Sequence, residues 1–205
     1  YSEIKKTILI IKFNRDDEVN SFWMSIADGK VIWGGDETVA KMRTYPCKPR
    51  SREIVFPDRF SLCAINAIKI VESNDDDLKK LCARMFNDVY IMDQNACSSP
   101  QLFNWVGDDA TIKKAKNMFW PLFLEYVNSK HSLEPIQYMN KYVDACLSAI
   151  NNDNVFRISH KDNLLFNIEL SHFHKHQHSQ RGYCGTIHEI SIESLNELSS
   201  VIDDR

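Results

Sequence analysis

Short apolar, β-branched runs alternate with helically spaced stretches through residues 1–60. This alternation narrows the possible folds more than any other feature of the chain. Thr7 to Phe13 (TILIIKF) reads as a strand buried on both faces. Asp16 to Ala27 places Val19, Phe22, Trp23 and Ile26 at helical spacing, behind acidic residues that suit a helix N-terminus. Lys30 to Trp33 (KVIW) reads as a second strand, broken by Gly34-Gly35-Asp36. Glu37 to Arg43 then reads as a helix and Glu53 to Phe56 (EIVF) as a third strand. A βαβαβ order implies a mainly parallel sheet, with ligands at the carboxyl ends of its strands.

Farther on, Asn74-Asp75-Asp76-Asp77 opens a helix through Leu78, Leu81, Cys82 and Met85. Asp109 to Val127 and Leu133 to Ile150 read as two long amphipathic helices. Strands are predicted over Val155–Ser159, Leu164–Leu170 and Thr186–Ile192, with a closing helix from Glu193 to Asp203. The aromatic runs Phe103–Trp105 and Phe119–Tyr126 fall at helical spacing and read as core. A net charge of -3, with Lys and Arg scattered, gives no electrostatic footprint for nucleic acid or an anionic membrane. No apolar run approaches the roughly 18 residues that a membrane-spanning helix needs. Six cysteines without CxxC spacing fit a reducing compartment and predict a cytoplasmic protein. A start at Tyr1 and an end in a charged helical pattern predict a segment of a longer chain.

The candidate chemistry centres on Cys97, which sits among small and polar residues in MDQNACSSPQ. Asn95, Ser98 and Ser99 supply short donors, and Pro100 is pre-set for the first turn of a helix. A cysteine on such a turn would be a nucleophile facing an oxyanion hole of backbone amides. The alternative is a small buried core residue. Cys63, Cys82 and Cys146 lie within apolar patterns and read as core, whereas Cys47 and Cys184 read as loop residues. His172, His174, His176 and His178 alternate, so on a strand they would share one face suited to a transition metal. No Cys or acidic residue stands among them, and the expected catalytic metal is none.

Three blocks between Val31 and Gly107, VIWGGDETVAKMR, PRSREIVFPDRFS and FNDVYIMDQNACSSPQLFNWVG, together resemble the acyl-CoA reductase family. That family includes the fatty acid reductase subunit of bacterial bioluminescence and belongs to the aldehyde dehydrogenase superfamily. GTIHEISIESLNEL is similar to the family's strand and helix late in the catalytic domain. The resemblance implies an α/β, aldehyde dehydrogenase-like fold. Residues 1–61 would be the second half of a dinucleotide-binding domain, and 62–205 a thiol-catalytic domain truncated at its C-terminus. It also implies that Cys97 accepts an acyl group; Asn95, a short donor close to the sulfur, is counted with it among the expected catalytic residues. Gly34, Gly35 and Asp36 would form a turn near the nicotinamide and phosphates of NADPH, with Asp36 acting as a helix cap. Glu53 occupies the place of the superfamily's base, although EIVFPDRFS departs from the usual glycine-rich pattern, and an exposed glutamate is the alternative.

The implied reaction is NADPH-dependent reduction of a fatty acyl thioester, acyl-CoA or acyl-protein, to an aldehyde. Implied partners are the acyl-protein synthetase and acyltransferase subunits of a fatty acid reductase complex, and the chain itself is expected to be a homo-oligomer. Alternatives are an aldehyde dehydrogenase-like oxidoreductase on another aldehyde, a non-catalytic acyl- or partner-binding domain, and a metal module built on the histidines. A sheet with only half its strands is expected to bind NADPH weakly and to self-associate through its bare edge.

Overall fold

A computed structural model of the protein describes residues 7–174, 177–200 and 202. They belong to two compact units, 1–58 and 59–205.

In the first unit, α1 (Asp17–Ile26) starts where the Asp16 carboxylate accepts from the amides of Glu18 and Val19 at 2.9 and 3.0 Å. Strands β1 (Gly29–Trp33) and β2 (Arg52–Phe56) pair in parallel, with helix α2 (Asp36–Arg43) between them. Lys41 and Tyr45 both reach Asp17, at 2.9 and 2.6 Å, and so pin α2 and the segment after it to α1. Thr7 to Phe13 departs from expectation. It pairs with no strand among the described residues, and Ile10 is 91% exposed. Apolar β-branched composition makes a segment fit for a sheet, but only a partner's hydrogen bonds make it a strand.

The second unit is built on a five-stranded sheet ordered β3-β4-β7-β6-β5. Its strands are β3 (Ser61–Asn66), β4 (Pro100–Val106), β5 (Val155–Lys161), β6 (Leu165–Leu170) and β7 (Thr186–Ile192). All pairings are parallel except β5 with β6, a hairpin whose turn uses left-handed Asp162 and Asn163. Between β3 and β4 run α3 (Ala67–Glu72) and α4 (Asp75–Val89), the latter capped by Asn74. After β4 come α5 (Asp109–Asn128) and α6 (Pro135–Asn151).

Strand β4 lies between β3 and β7, and every residue from Pro100 to Trp105 is buried. This accounts for Phe103–Trp105, whose spacing suggested a helix. A central parallel strand is covered on both faces and carries a continuous apolar run rather than an alternating one. Phe103 and Trp105 pack with Phe119, Trp120 and Phe123 of α5. Each such burial is worth roughly 1.5–3 kcal/mol. Leu102, Ile168, Ile190 and Ile192 form a second cluster.

Two further expectations are corrected. The run after Ile192 forms a 3-10 turn over Leu195–Ser200 rather than a closing helix that reaches Asp203, which lies outside the described residues. Helix α6 turns its apolar stripe outward: Ile136, Met139, Val143, Leu147 and Ile150 are exposed, while Lys141 and Ala145 are buried. The polar contacts that Lys141 makes explain this orientation.

Candidate active site

Between α4 and β4 the chain makes a turn over residues 90–99 that carries Cys97. Two consecutive non-glycine residues, Asp93 and Gln94, have φ of 49° and 64°. The left-handed region costs about 1–2 kcal/mol per such residue, so the surroundings must hold it in place.

They do so through buried amides. Gln94 is 1% exposed; its Nε2 donates to the carbonyls of Pro100 and Thr186 at 3.0 and 3.1 Å. Its Oε1 accepts from the Gly185 amide at 3.1 Å. Gln101 donates back to the Gln94 carbonyl at 2.8 Å and accepts from the Gly182 amide at 2.7 Å. The Ser99 hydroxyl donates to the Asp88 carbonyl at 2.6 Å, and the Ser61 hydroxyl to the Cys97 carbonyl at 2.6 Å. The result is an exposed thiol on a backbone fixed on three sides.

This turn differs from the expected one. Pro100 opens β4, not a helix, so no helix N-terminus points at Cys97 from that side. The φ that proline locks serves the first residue of a strand equally well. Asn95 is exposed on the same turn, and its Nδ2 donates to the Asp93 carbonyl at 3.1 Å, leaving one amide hydrogen of that group for a ligand.

Among the other cysteines, burial pushes the thiols of Cys63, Cys82 and Cys184 up to about 11. These thiols stay protonated near neutral pH and are poor nucleophiles. Cys184, expected in a loop, is buried, and Cys146, expected in the core, is exposed on α6.

The segment that braces the turn is itself braced by Lys141, which is fully buried on α6. Its Nζ donates to the Leu164 carbonyl and, at 2.8 Å, to the Cys184 carbonyl; it also lies 4.9 Å from the centre of the Phe166 ring. Tyr90, buried at the end of α4, donates to the same Leu164 carbonyl at 2.9 Å. The Cys184 amide donates to the Asp93 carbonyl at 3.2 Å. Among the described residues no carboxylate bonds to Lys141, and burial pushes its ammonium down to about 7. The sequence reading missed Gln94, Gln101 and Lys141. Lys141 left one legible signal: with Tyr138 and Ala145 it falls on a single helical face.

In the first unit, Gly34 follows β1 and donates to the Phe56 carbonyl at 3.3 Å. Gly35 takes the N-cap position of α2, so Asp36 is the first helical residue rather than the expected cap. In that first turn Asp36 and Glu37 suit the helix dipole but disfavour a phosphate. A Cβ on Gly35 would meet nothing within 4 Å, whereas one on Gly34 would lie 2.9 Å from Thr38 Cγ2. Glu53 faces Lys30 across the β1–β2 pair and also binds Arg43, with contacts of 2.9 and 2.8 Å. The Lys30 ammonium, then the Arg43 guanidinium, hold its carboxyl below the usual range. A carboxylate so held is a weak proton acceptor, which counts against Glu53 as a general base.

The histidine tract forms no strand where it is described: His172 and His174 lie in a loop and His178 in a 3-10 turn, while His176 falls outside the described residues. Among the described residues, no group of three or more His, Cys, Asp or Glu is placed to hold a metal. Among them too, no helix is long and apolar enough to cross a membrane.

The family model for acyl-CoA reductase (LuxC) matches residues 1–120. No curated protein gives a significant match. Among solved structures, the chain is similar to an apo betaine aldehyde dehydrogenase mutant from Staphylococcus aureus. Identity is 11% and the TM-score 0.56, over 88% of this chain and 38% of that one. It is similar to the substrate-bound state of Staphylococcus aureus AldH, at 11% identity and TM-score 0.58, over 91% and 41%. It is also similar to a Staphylococcus aureus betaine aldehyde dehydrogenase in complex with NAD+, at 11% identity and TM-score 0.54, over 87% and 38%. The chain thus spans about two fifths of the length of these structures, and at such identity the likeness is one of fold.

Proposed function

The chain belongs to the acyl-CoA reductase (LuxC) family, and from that premise we propose that it carries the acyl-accepting thiol of a fatty acyl reductase, Cys97. The observation that carries this reading is the exposed thiol on a strained turn locked by buried Gln94 and Gln101. Strain of this kind is kept where a reacting group must be held still.

The Cys97 thiolate attacks the carbonyl carbon of an acyl thioester, acyl-CoA or acyl-protein. A new C–S bond forms, the donor's thiolate leaves, and the acyl group stays on Cys97. The remaining amide hydrogen of Asn95 is placed on the same turn to meet the carbonyl oxygen as its charge grows. Exposed Ile91 and Met92 offer apolar surface on that turn for a fatty chain. A bound NADPH would supply hydride to the acyl-cysteine carbonyl, and breaking of the C–S bond would release the aldehyde and return Cys97 as its thiolate. Gly35 would give the dinucleotide close access to the backbone, since nothing crowds it. The acidic first turn of α2 argues that Gly34 and Gly35 border the nicotinamide side rather than a phosphate. Glu53 is proposed as a structural ion-pair partner of Lys30 and Arg43. The full-length enzyme is proposed to act as a homo-oligomer in the cytoplasm, served by the synthetase and acyltransferase subunits of a fatty acid reductase complex.

The test is acyl-CoA treatment without NADPH, followed by peptide mass spectrometry. An adduct on Cys97 that disappears in Cys97→Ala is expected. A label that stays on Cys47 or Cys146 in that variant would overturn the assignment.

A further inference from the structure

The covered face of the second sheet changes character along its width. Over β4 it is aromatic, with Phe103 and Trp105 against α5. Over β5, β6 and β7 the residues at alternate positions are polar: Arg157 and Ser159, Asn167 and Glu169, Glu189 and Ser191. Burying polar side chains under a helix is costly unless they find partners. Here they wall a cavity of about 620 Å³ between the sheet and α5. That volume lies within the range of small-molecule sites.

The carboxylates in this wall are already engaged. Glu189 is 1% exposed and accepts from the indole N–H groups of Trp105 and Trp120 at 2.8 and 3.2 Å, with Lys116 at 3.5 Å. Glu169 is held by Arg157 at 2.6 Å and by Lys116 at 4.0 Å. Donors and positive charge remain. Lys113 and Lys161 line the cavity, opposed by Asp109. Asn167 is 94% buried (6% exposed), faces the cavity, and its amide nitrogen has no partner among the described residues. Hydroxyls line it as well, on Ser159 and Ser191. The lining runs from Glu169 and Ser191, near the carboxyl ends of β6 and β7, to Lys161, which pairs with Leu165 at the amino end of β6. The Cys97 turn, none of whose residues lines the cavity, enters the same sheet at the amino end of β4.

We propose that this cavity is a second ligand site, separate from Cys97, that binds a small hydroxylated organic anion. Lys113, Lys161 and Asn167 receive the charged group, and the Ser159 and Ser191 hydroxyls meet those of the ligand. The shared chemistry is an anionic group on a polyol, whether phosphate or carboxylate.

Calorimetric titration of the whole chain with ribose 5-phosphate, gluconate, ribose and inorganic phosphate tests it. Saturable binding of ribose 5-phosphate, gluconate or both is expected, tighter than that of ribose or inorganic phosphate. The paired arms show which anion is preferred. Lys113→Glu and Lys161→Glu should each weaken it about tenfold or more, while Lys79→Glu, outside the cavity, leaves it unchanged. Circular dichroism confirms that the variants fold, and acylation of Cys97 is unaffected in all three. No binding of either polyol anion up to about 10 mM, or binding indifferent to charge reversal at Lys113 and Lys161, would overturn the proposal.

Discussion

Replacing Lys141 by Met removes a buried ammonium that titrates near neutral pH. Its ordinary value of 10.5 applies in the unfolded chain, and burial brings it to about 7 in the folded one. Between those values the unfolded chain holds the proton more often than the folded chain does. Stability therefore rises with pH, is fully present above 10.5, and is lost as pH falls toward 7. Integrated from about pH 7 to 8.5, this one group adds roughly 1–2 kcal/mol of stability. The window ends there because Cys63, Cys82 and Cys184, pushed from 9.0 to about 11, act with the opposite sign at higher pH. Urea unfolding followed by tryptophan fluorescence is the assay. It is run in a Trp23→Phe, Trp33→Phe background, so that only Trp105 and Trp120 of the second unit report. The parent should gain roughly 1–2 kcal/mol across the window. Lys141→Met should show a flat profile and a lower stability by about 2 kcal/mol from the unpaired Cys184 carbonyl. A flat parent profile, or equal slopes in the two proteins, would refute a buried, titrating Lys141.

Gly185→Ala should destabilise the second unit by at least about 2 kcal/mol in thermal or urea unfolding. The reason is its φ of +81° and a Cβ that would fall 2.1 Å from the Tyr90 hydroxyl. His188, buried with both ring nitrogens unpaired among the described residues, is pushed down from 6.5 to about 4 by burial. Its contribution is present above 6.5 and lost as pH falls, so stability should drop by roughly 1–2 kcal/mol from pH 6.5 to 5. In His188→Leu that part of the acid slope should vanish. Gly35→Ala should leave stability within about 0.5 kcal/mol, whereas Gly34→Ala must displace Thr38. In the full-length enzyme, Gly35→Val should raise the NADPH requirement without touching acylation of Cys97, read by steady-state kinetics beside mass spectrometry.

The regular elements were legible where a side chain marks its own structure. Asp16 and Asn74 announce helix starts by accepting from nearby amides, and Asn66 and Asp108 cap two more. Long-range pairing left no such mark. Thr7–Phe13 has the composition of a strand but pairs with no strand among the described residues, and Phe103–Trp105 has helical spacing because a central strand is apolar at every position. The cysteine proposed to accept the acyl group stood out by its block, but the brace beneath it did not. Gln94 meets Gly185 across 91 residues and Lys141 meets Cys184 across 43, and neither spacing is periodic. Helix α6 was legible as amphipathic yet turned the other way, since a lysine that finds two carbonyls can be the buried residue.

The sheet order also sets a timetable for synthesis. Strand β4 lies beside β7, with Leu102 opposite His188, although 86 residues separate them in the chain. A ribosome adds about 5–20 residues per second, so β4 waits roughly 4–17 s for that neighbour. Until it arrives, neither the Thr186 carbonyl nor the Gly185 amide exists to receive Gln94, and the left-handed pair Asp93–Gln94 has only the local bonds of Gln94 with Pro100 and Gln101 to hold it. Distant pairings of this kind also close slowly once both strands are present. The nascent chain therefore exposes Cys97 long before the turn that carries it can take its folded geometry, which is completed only when β7 joins the sheet.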